Sequence, residues 1–160
     1  MEETMGEVTH DQANLLLRLY ELRREPRMRE AREWYFANFH PTSLEDMNKQ
    51  APPGSAGNAS VRMVISYWEM AASMVNRGLI DEEFFFENTG EQWAIWGRVK
   101  ALVPAMRERS MNPHQYANLE KHVNRFEAWR EKRAPGSGEA MRKMMAQMQQ
   151  ATQQSKSAGD

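Results

Sequence analysis

The sequence of 160 residues contains no cysteine. It can therefore form no disulfide, no thiolate zinc site and no thiol nucleophile. It also lacks any run near 18 apolar residues, the length that a membrane-spanning helix requires. Its 21 Lys and Arg residues nearly balance its 22 Asp and Glu residues, and the formal net charge of -1 gives no field that would attract nucleic acid. We expect a cytoplasmic protein that neither binds nucleic acid nor inserts into a membrane.

Catalytic and metal-binding motifs are also missing. The four histidines are the only nitrogen ligands or bases that titrate near neutral pH, and none lies in an HExxH motif. The nucleophile patterns GxSxG and SxxK do not occur. Gly54 and Gly57 lack the strand-to-helix context of a phosphate loop. We therefore expect no metal, no cofactor, no catalytic residues and no enzymatic activity.

Helical patterns follow one another along most of the chain. Apolar residues recur at spacings of three and four, and no segment alternates apolar and polar residues as a half-buried strand does. Helix starts are indicated at Thr9 and Asp81, an interruption at Pro26 and a helix end at Gly78. These patterns predict an all-α fold of about five main helices, packed as an antiparallel bundle with a flexible C-terminal tail.

Three further helix boundaries follow from local patterns in the second half of the chain. Thr89, followed by Gln92, predicts a capping box at the start of a helix over residues 92–109. Pro104 predicts a bend in the later turns of that helix. Asn112, followed by Pro113, predicts the start of the next helix.

The composition divides the chain into three parts. Residues 1–8 are acidic and polar, and we expect them to be disordered. Residues 9–133 are expected to form a single helical domain, in which the segment 50–58, QAPPGSAGN, is an exposed loop because it combines paired prolines with two glycines. Residues 134–160 are rich in Gly, Ser, Gln and Ala, which predicts a low-complexity tail that is disordered in isolation.

A cluster of aromatic residues lies in the middle of the chain. Three of them, Phe84, Phe85 and Phe86, are consecutive and are called the aromatic turn below. Successive helical residues are rotated by about 100°, so all three cannot face one core. The ring that does not face the core can be covered by packing within the chain, which we rank first, by a dimer surface, which we rank second, or by a small-molecule ligand in a pocket, which we rank third. The candidate contact or pocket residues are Tyr67, Trp68, Phe84, Phe85, Phe86, Trp93 and Trp96.

Methionines are concentrated in the tail. Met141, Met144, Met145 and Met148 lie at positions i, i+3, i+4 and i+7, and these four residues are called the methionine stripe below. On a helix they would form one flexible apolar surface, of the kind that suits adaptable protein contacts. We predict that the stripe docks onto the bundle or onto a second copy of the chain. The alternative is a low-complexity segment that happens to be rich in methionine.

Residues 61–109 resemble a family of small all-helical bacterial proteins that is catalogued only as a domain of unknown function. The resemblance is carried by a long helix over 61–76, a turn over 77–86 with the sequence RGLIDEEFFF, and a following helix over 92–109 that opens with tryptophan. It implies an all-helical fold and supplies no catalytic residues. Many members have a membrane-spanning helix before the domain, and this sequence shows none.

Two functional hypotheses follow. The preferred one is a non-enzymatic protein-interaction or scaffold module that forms a homodimer or binds another protein through the aromatic turn or the methionine stripe. The alternative is a regulatory domain that holds a small apolar ligand between the helix of Trp68 and the helix of Trp93.

Overall fold

The computed structural model describes residues 6–159, and every regular element in that range is helical. The all-α prediction is therefore confirmed. The predicted number of about five helices is wrong, because the described residues form nine, and the antiparallel bundle stays a prediction. The helices are α1 His10–Arg24, α2 Pro26–Asn38, α3 Leu44–Gln50, α4 Ala56–Asn76, α5 Glu82–Asn88, α6 Glu91–Val99, α7 Val103–Ser110, α8 Ala117–Arg133 and α9 Ser137–Ser157.

Prolines explain in part why the described residues form nine helices where about five were predicted. Pro26 occupies the first turn of α2, where a missing amide proton costs nothing, and the Glu25 carboxylate accepts a hydrogen bond from the Met28 amide at 3.2 Å. Pro104 likewise lies in the first turn of α7. The bend that we predicted at Pro104 is a complete break, because the helix expected over 92–109 is divided into α6 and α7.

The helix-start patterns were right where a side chain caps the backbone. Thr9 Oγ1 accepts from the Gln12 amide at 3.2 Å, and Asp81 Oδ1 accepts from the Phe84 amide at 2.8 Å. The capping box at Thr89 is wrong, because the residue before α6 is Gly90 and makes no side-chain cap. The start predicted after Asn112 is also wrong, since α8 begins four residues beyond Pro113, at Ala117.

Helix α3 was not predicted at all. Its start is capped by Ser43 Oγ, which accepts from the Asp46 amide at 3.0 Å, and Asp46 in turn accepts from the Thr42 amide at 2.9 Å. Because α3 ends at Gln50 and α4 begins at Ala56, the predicted loop over 50–58 is reduced to 51–55. The segment is only partly exposed, since Ala51 is buried.

The chain forms two compact units, Met1–Val123 and Asn124–Asp160, and the division falls inside α8. The composition had indicated a boundary at residue 134. In the second unit, residues 137–157 form helix α9 where we expected a disordered tail. Of the segment 1–8 predicted to be disordered, residues 1–5 lie outside the described residues, and residues 6–8 have no regular secondary structure.

Helix α4 is the centre of the first unit. Helices α2, α5 and α6 pack directly against it, and α1 packs against α2. Each fully buried aliphatic or aromatic side chain contributes about 1.5–3 kcal/mol relative to exposure, so this one helix provides much of the stabilisation of the unit. The residues that α4 buries are Val61, Val64, Ile65, Trp68, Ala71, Ala72 and Val75.

Side chains also connect helices that are distant in sequence. The Arg98 guanidinium of α6 donates to the carbonyls of Phe39 at 2.6 Å and Tyr35 at 3.2 Å, which lie at the free C-terminal end of α2. The Tyr35 hydroxyl donates to the Ile95 carbonyl at 2.7 Å, and burial raises the pKa of this phenol far above its ordinary range. These bonds fix α6 against α2.

Candidate functional site

The aromatic turn forms most of α5, and two of its three phenylalanines are buried. Phe85 is 1% exposed and Phe86 is 4% exposed, whereas Phe84 is half-buried. Asp81 caps the helix, and Glu82 and Glu83 lie in its first turn, where the helix dipole favours negative charge. The aromatic turn is therefore mainly part of the core of the first unit.

One side of α5 is closely packed against a buried histidine. The imidazole of His122, on α8, lies 5.2 Å from the ring centre of Phe85 and 5.2 Å from that of Phe86. Its Nε2 atom is 3.1 Å from Nε2 of Gln92, on α6. His122 and Gln92 are 1% and 0% exposed, so this polar pair lies inside an aromatic and apolar core. The region formed by Phe86, Gln92 and His122 is called the packed side below.

Burial controls the charge of His122. Removal from water penalises the imidazolium and lowers the pKa of His122 from its ordinary 6.5 to about 4, although the negative charge of Glu82 acts in the opposite direction. The ring is therefore neutral at pH 7. The Gln92 amide nitrogen faces Nε2 of His122, whereas Nδ1 has no hydrogen-bond partner among the described residues.

The other side of α5 is open. A pocket of about 240 Å³ lies between α1, α4 and α5, and Phe85 forms part of its wall. Trp68, at 1% exposure, forms another part, and the hydroxyl of Tyr67 donates to the Leu19 carbonyl. Burial raises the pKa of Tyr67 to about 12, so the phenol stays protonated. The lining residues are Leu16, Leu17, Leu19, Tyr20, Arg23, Tyr67, Trp68, Phe85, Asn88 and Thr89.

Most polar groups in the wall of the pocket are already hydrogen-bonded. The Asn88 side-chain amide donates to the Phe84 carbonyl at 2.8 Å, and the Thr89 hydroxyl donates to the Phe85 carbonyl at 3.0 Å. Both bonds remain within α5 and its C-terminal cap. The pocket therefore presents mainly hydrocarbon and aromatic surface, together with one cation, Arg23.

Arg23 belongs to a cluster of three charges. Glu91 is held by Arg32, whose Nε lies 2.8 and 3.0 Å from the two carboxylate oxygens and whose Nη2 lies 2.7 Å from one of them. Arg23 is more distant, with Nη1 3.8 Å from Glu91 Oε2. Its guanidinium lies over the rings of Tyr20 and Trp68, at 5.4 and 5.8 Å from their centres.

The structure brings together only some of the predicted residues. Tyr67, Trp68 and Phe85 line the pocket. Trp93 and Trp96 are buried at 8% and 2% exposure on α6, which packs directly against α4, and neither residue lines the pocket. The ligand site was predicted between α4 and α6, whereas the pocket found here lies between α4, α1 and α5.

Sequence reasoning missed the contribution of α1. A pattern was nevertheless present, because Leu16, Leu19, Tyr20 and Arg23 follow the helical spacing i, i+3, i+4 and i+7. An arginine at the end of an otherwise apolar stripe indicates a charge held beside apolar surface.

In the second unit, most of the methionine stripe is exposed. Met141, Met144 and Met148 are 43%, 57% and 67% exposed, and Met145 is half-buried. Gly138 is the one buried residue of α9 in the described structure. The stripe therefore forms an apolar surface on a helix.

The described residues form neither a metal site nor a membrane span. Within residues 6–159, no group of three or more histidine, aspartate or glutamate side chains is arranged to hold a metal ion. None of the helices described has the length and apolar character that a membrane span needs.

The fold and the pocket define a small all-helical domain with one cation at the edge of an apolar cavity. The chain belongs to the family described as Domain of unknown function (DUF4760), whose model matches residues 8–126. This match confirms the resemblance seen in residues 61–109 and extends it from α1 into α8. No curated protein and no solved structure matches the chain.

Proposed function

We propose that this protein is a non-enzymatic regulatory domain that binds a small apolar ligand in the pocket between α1, α4 and α5. The observation that supports this proposal is the pocket itself, about 240 Å³ in volume, with walls that are mostly apolar. Ligand sites are typically concave and apolar with a few polar groups, as this pocket is. The volume is below the range of about 300–1,000 Å³ typical of drug-sized ligands, so we expect a smaller molecule.

The pocket is a better candidate for a binding surface than the aromatic turn is. Phe85 and Phe86 are almost completely buried, so neither can reach a protein partner in the folded domain. Leu17 and Tyr20 line the pocket and are 58% and 45% exposed, which gives a small molecule an apolar entrance.

Tryptophan fluorescence tests the ligand hypothesis with a neutral probe, 1-octanol. A saturable change in emission is expected in the natural protein, because Trp68 forms part of the wall. The Trp68→Phe variant should lose this change. The matched variant Trp34→Phe should retain it, since Trp34 lies on α2 and does not line the pocket. A natural protein that shows no saturable change up to millimolar 1-octanol would contradict the proposal.

We also propose that the methionine stripe is a contact surface for a second copy of the chain. Its support is the exposure of Met141, Met144 and Met148 on one face of α9. Unbranched, polarisable methionine side chains pack readily on one another, and a two-fold axis brings the same stripe from each copy together. The protein would then act as a homodimeric interaction or scaffold module as well as a ligand-binding domain.

Analytical ultracentrifugation over a micromolar concentration range tests this second proposal. The natural protein should associate as its concentration rises, and Met144→Ser should weaken the association. Gln150→Ser is the matched control, because residue 150 is exposed on α9 and lies well away from the stripe around the helix. A strict monomer would remove the proposal, as would equal weakening by both variants.

The cellular location, the arrangement of the helices and the lack of catalysis are also part of this proposal. We place the domain in the bacterial cytoplasm, with its helices arranged as an antiparallel bundle and without catalytic activity of its own. The resemblance of residues 61–109 to small bacterial proteins supports the bacterial setting alone, and the lack of a recognised catalytic motif supports the expectation about catalysis.

A further inference from the structure

We propose that the ligand of the pocket is a small monocarboxylate, whose apolar part lies against Trp68 and Phe85 and whose carboxylate pairs with Arg23. This inference rests on the proposed function, which requires only an apolar ligand. It adds the charge of the ligand and the residue that recognises it.

The charges beside the pocket do not balance. Glu91 supplies one negative charge to two arginines, and both of its oxygens are already bonded to Arg32 at 2.8 and 3.0 Å. Arg23 approaches no closer than 3.8 Å. The cluster therefore has a surplus of one positive charge. A ligand with a single negative charge would neutralise it, whereas a phosphate monoester would exceed it.

The charge cluster beside the pocket is shielded from water. The side chains of Arg23 and Glu91 are only 17% and 13% exposed, so the surplus charge lies where water screens it weakly. None of the described residues that line the pocket is acidic. An anion in the pocket would thus meet Arg23 without a competing carboxylate in the wall.

The orientation of the Arg23 guanidinium also suits a carboxylate. The planar group of Arg23 lies over the rings of Tyr20 and Trp68, and these contacts restrict its rotation. A guanidinium has five N–H donors, and a fixed plane can present two of them to the two oxygens of a carboxylate. The same rings form apolar wall, so the cation lies directly beside the surface that holds the hydrocarbon part of the ligand.

Isothermal titration calorimetry with octanoate and 1-octanol tests the inference, because the two probes share a chain and differ in charge. The natural protein should bind octanoate on the order of tenfold more tightly than 1-octanol, since hydrogen bonds to a charged group are the stronger kind. Arg23→Gln should lose that advantage and still bind 1-octanol. The matched control is Arg18→Gln, which removes an exposed arginine of α1 that does not line the pocket.

The outcomes separate the two proposals. If neither probe binds the natural protein, the proposed function fails, and this inference fails with it. If 1-octanol binds as tightly as octanoate, or if Arg23→Gln binds octanoate as the natural protein does, the carboxylate inference is overturned and the apolar site survives. A salt titration of the natural protein tests the same inference without depending on the folding of Arg23→Gln. Raising the salt concentration should weaken binding of octanoate but not of 1-octanol. Equal salt dependence of the two probes would also overturn the inference.

Discussion

The two sides of α5 differ in how well they are filled. On the packed side, the rings of Phe85 and Phe86 lie against His122, and Gln92 closes the space beside it. On the pocket side, Phe85 faces α1 and α4 across a space of about 240 Å³. One phenylalanine therefore belongs both to the core and to the wall of a cavity.

This difference shows that side chains fill the packed side of α5 more completely than the pocket side. Protein interiors are normally as dense as organic crystals, and an unfilled apolar space loses contacts that would stabilise the fold. The unfavourable feature of the packed side is different. Gln92 and His122 form a buried polar pair that is only partly hydrogen-bonded, which lowers stability. We propose that the ligand fills the space on the pocket side, and we interpret the buried polar pair as a constraint on how α5, α6 and α8 fit together.

The largest expected effect comes from emptying the packed side. Phe86→Ala should lower the free energy of unfolding by about 3–5 kcal/mol, the usual cost of removing a buried phenylalanine ring. Leu17→Ala, at the exposed edge of the pocket, should cost less than about 1 kcal/mol. Urea denaturation followed by circular dichroism measures both values. Similar losses for the two variants would contradict the distinction between the sides.

The next effect concerns the charge of His122. The pKa of its imidazole is about 4 in the folded protein against an ordinary 6.5, so the unfolded chain binds more protons between these values. Stability should therefore fall as the pH drops from 6.5 to 4, by about 3 kcal/mol from this group. Urea denaturation across this pH range measures the loss.

The variants for this pH experiment separate His122 from the carboxylates, which also titrate at low pH. His122→Gln should remove the contribution of His122 and flatten the curve between pH 4 and 6.5. His114→Gln changes an exposed histidine and should leave the shape of the curve unaltered. If both variants keep the pH dependence of the natural protein, His122 does not have the lowered pKa on which this prediction rests.

A smaller effect is expected from adding volume to each side. Leu119→Phe should cost about 1–3 kcal/mol, because Leu119 is completely buried one helical turn before His122. Leu16→Phe should change stability by less than about 1 kcal/mol, because the added ring can enter the pocket that Leu16 lines. Leu16→Phe should also block binding of 1-octanol. Thermal melting and fluorescence titration test the pair, and an equal cost at both positions would indicate that the pocket is not available space.

The sequence predicts individual helices better than it predicts the site. The cap at Asp81, the end of α4 at Gly78 and the apolar face of α4 depend on residues within a few positions of one another, so local patterns were sufficient. Helix α3 was missed because it has only seven residues and buries none of them, so it lacks an apolar stripe and is marked only by the Ser43 cap. The helical state of α9 was missed because its composition, rich in Gly, Ser, Gln and Ala, was given more weight than the helical spacing of the methionine stripe.

The site was harder to predict because it joins distant parts of the chain. The ion pair between Arg32 and Glu91 spans 59 positions, and no local pattern indicates it. Helical spacing shows which face of α1 is apolar, but it does not show whether the opposite surface fills the space. The pocket depends on that second property, which is set by the sizes of side chains on three separate helices.

The most direct test of the ligand site is an NMR titration of the natural protein, labelled at the leucine methyl groups, with 1-octanol. We predict saturable shifts at Leu16, Leu17 and Leu19, which line the pocket. Leu102 and Leu119, which are buried elsewhere in the first unit, should remain unchanged. Shifts spread evenly over all leucines, or confined to residues outside the pocket, would contradict the claim that the space between α1, α4 and α5 is a binding site.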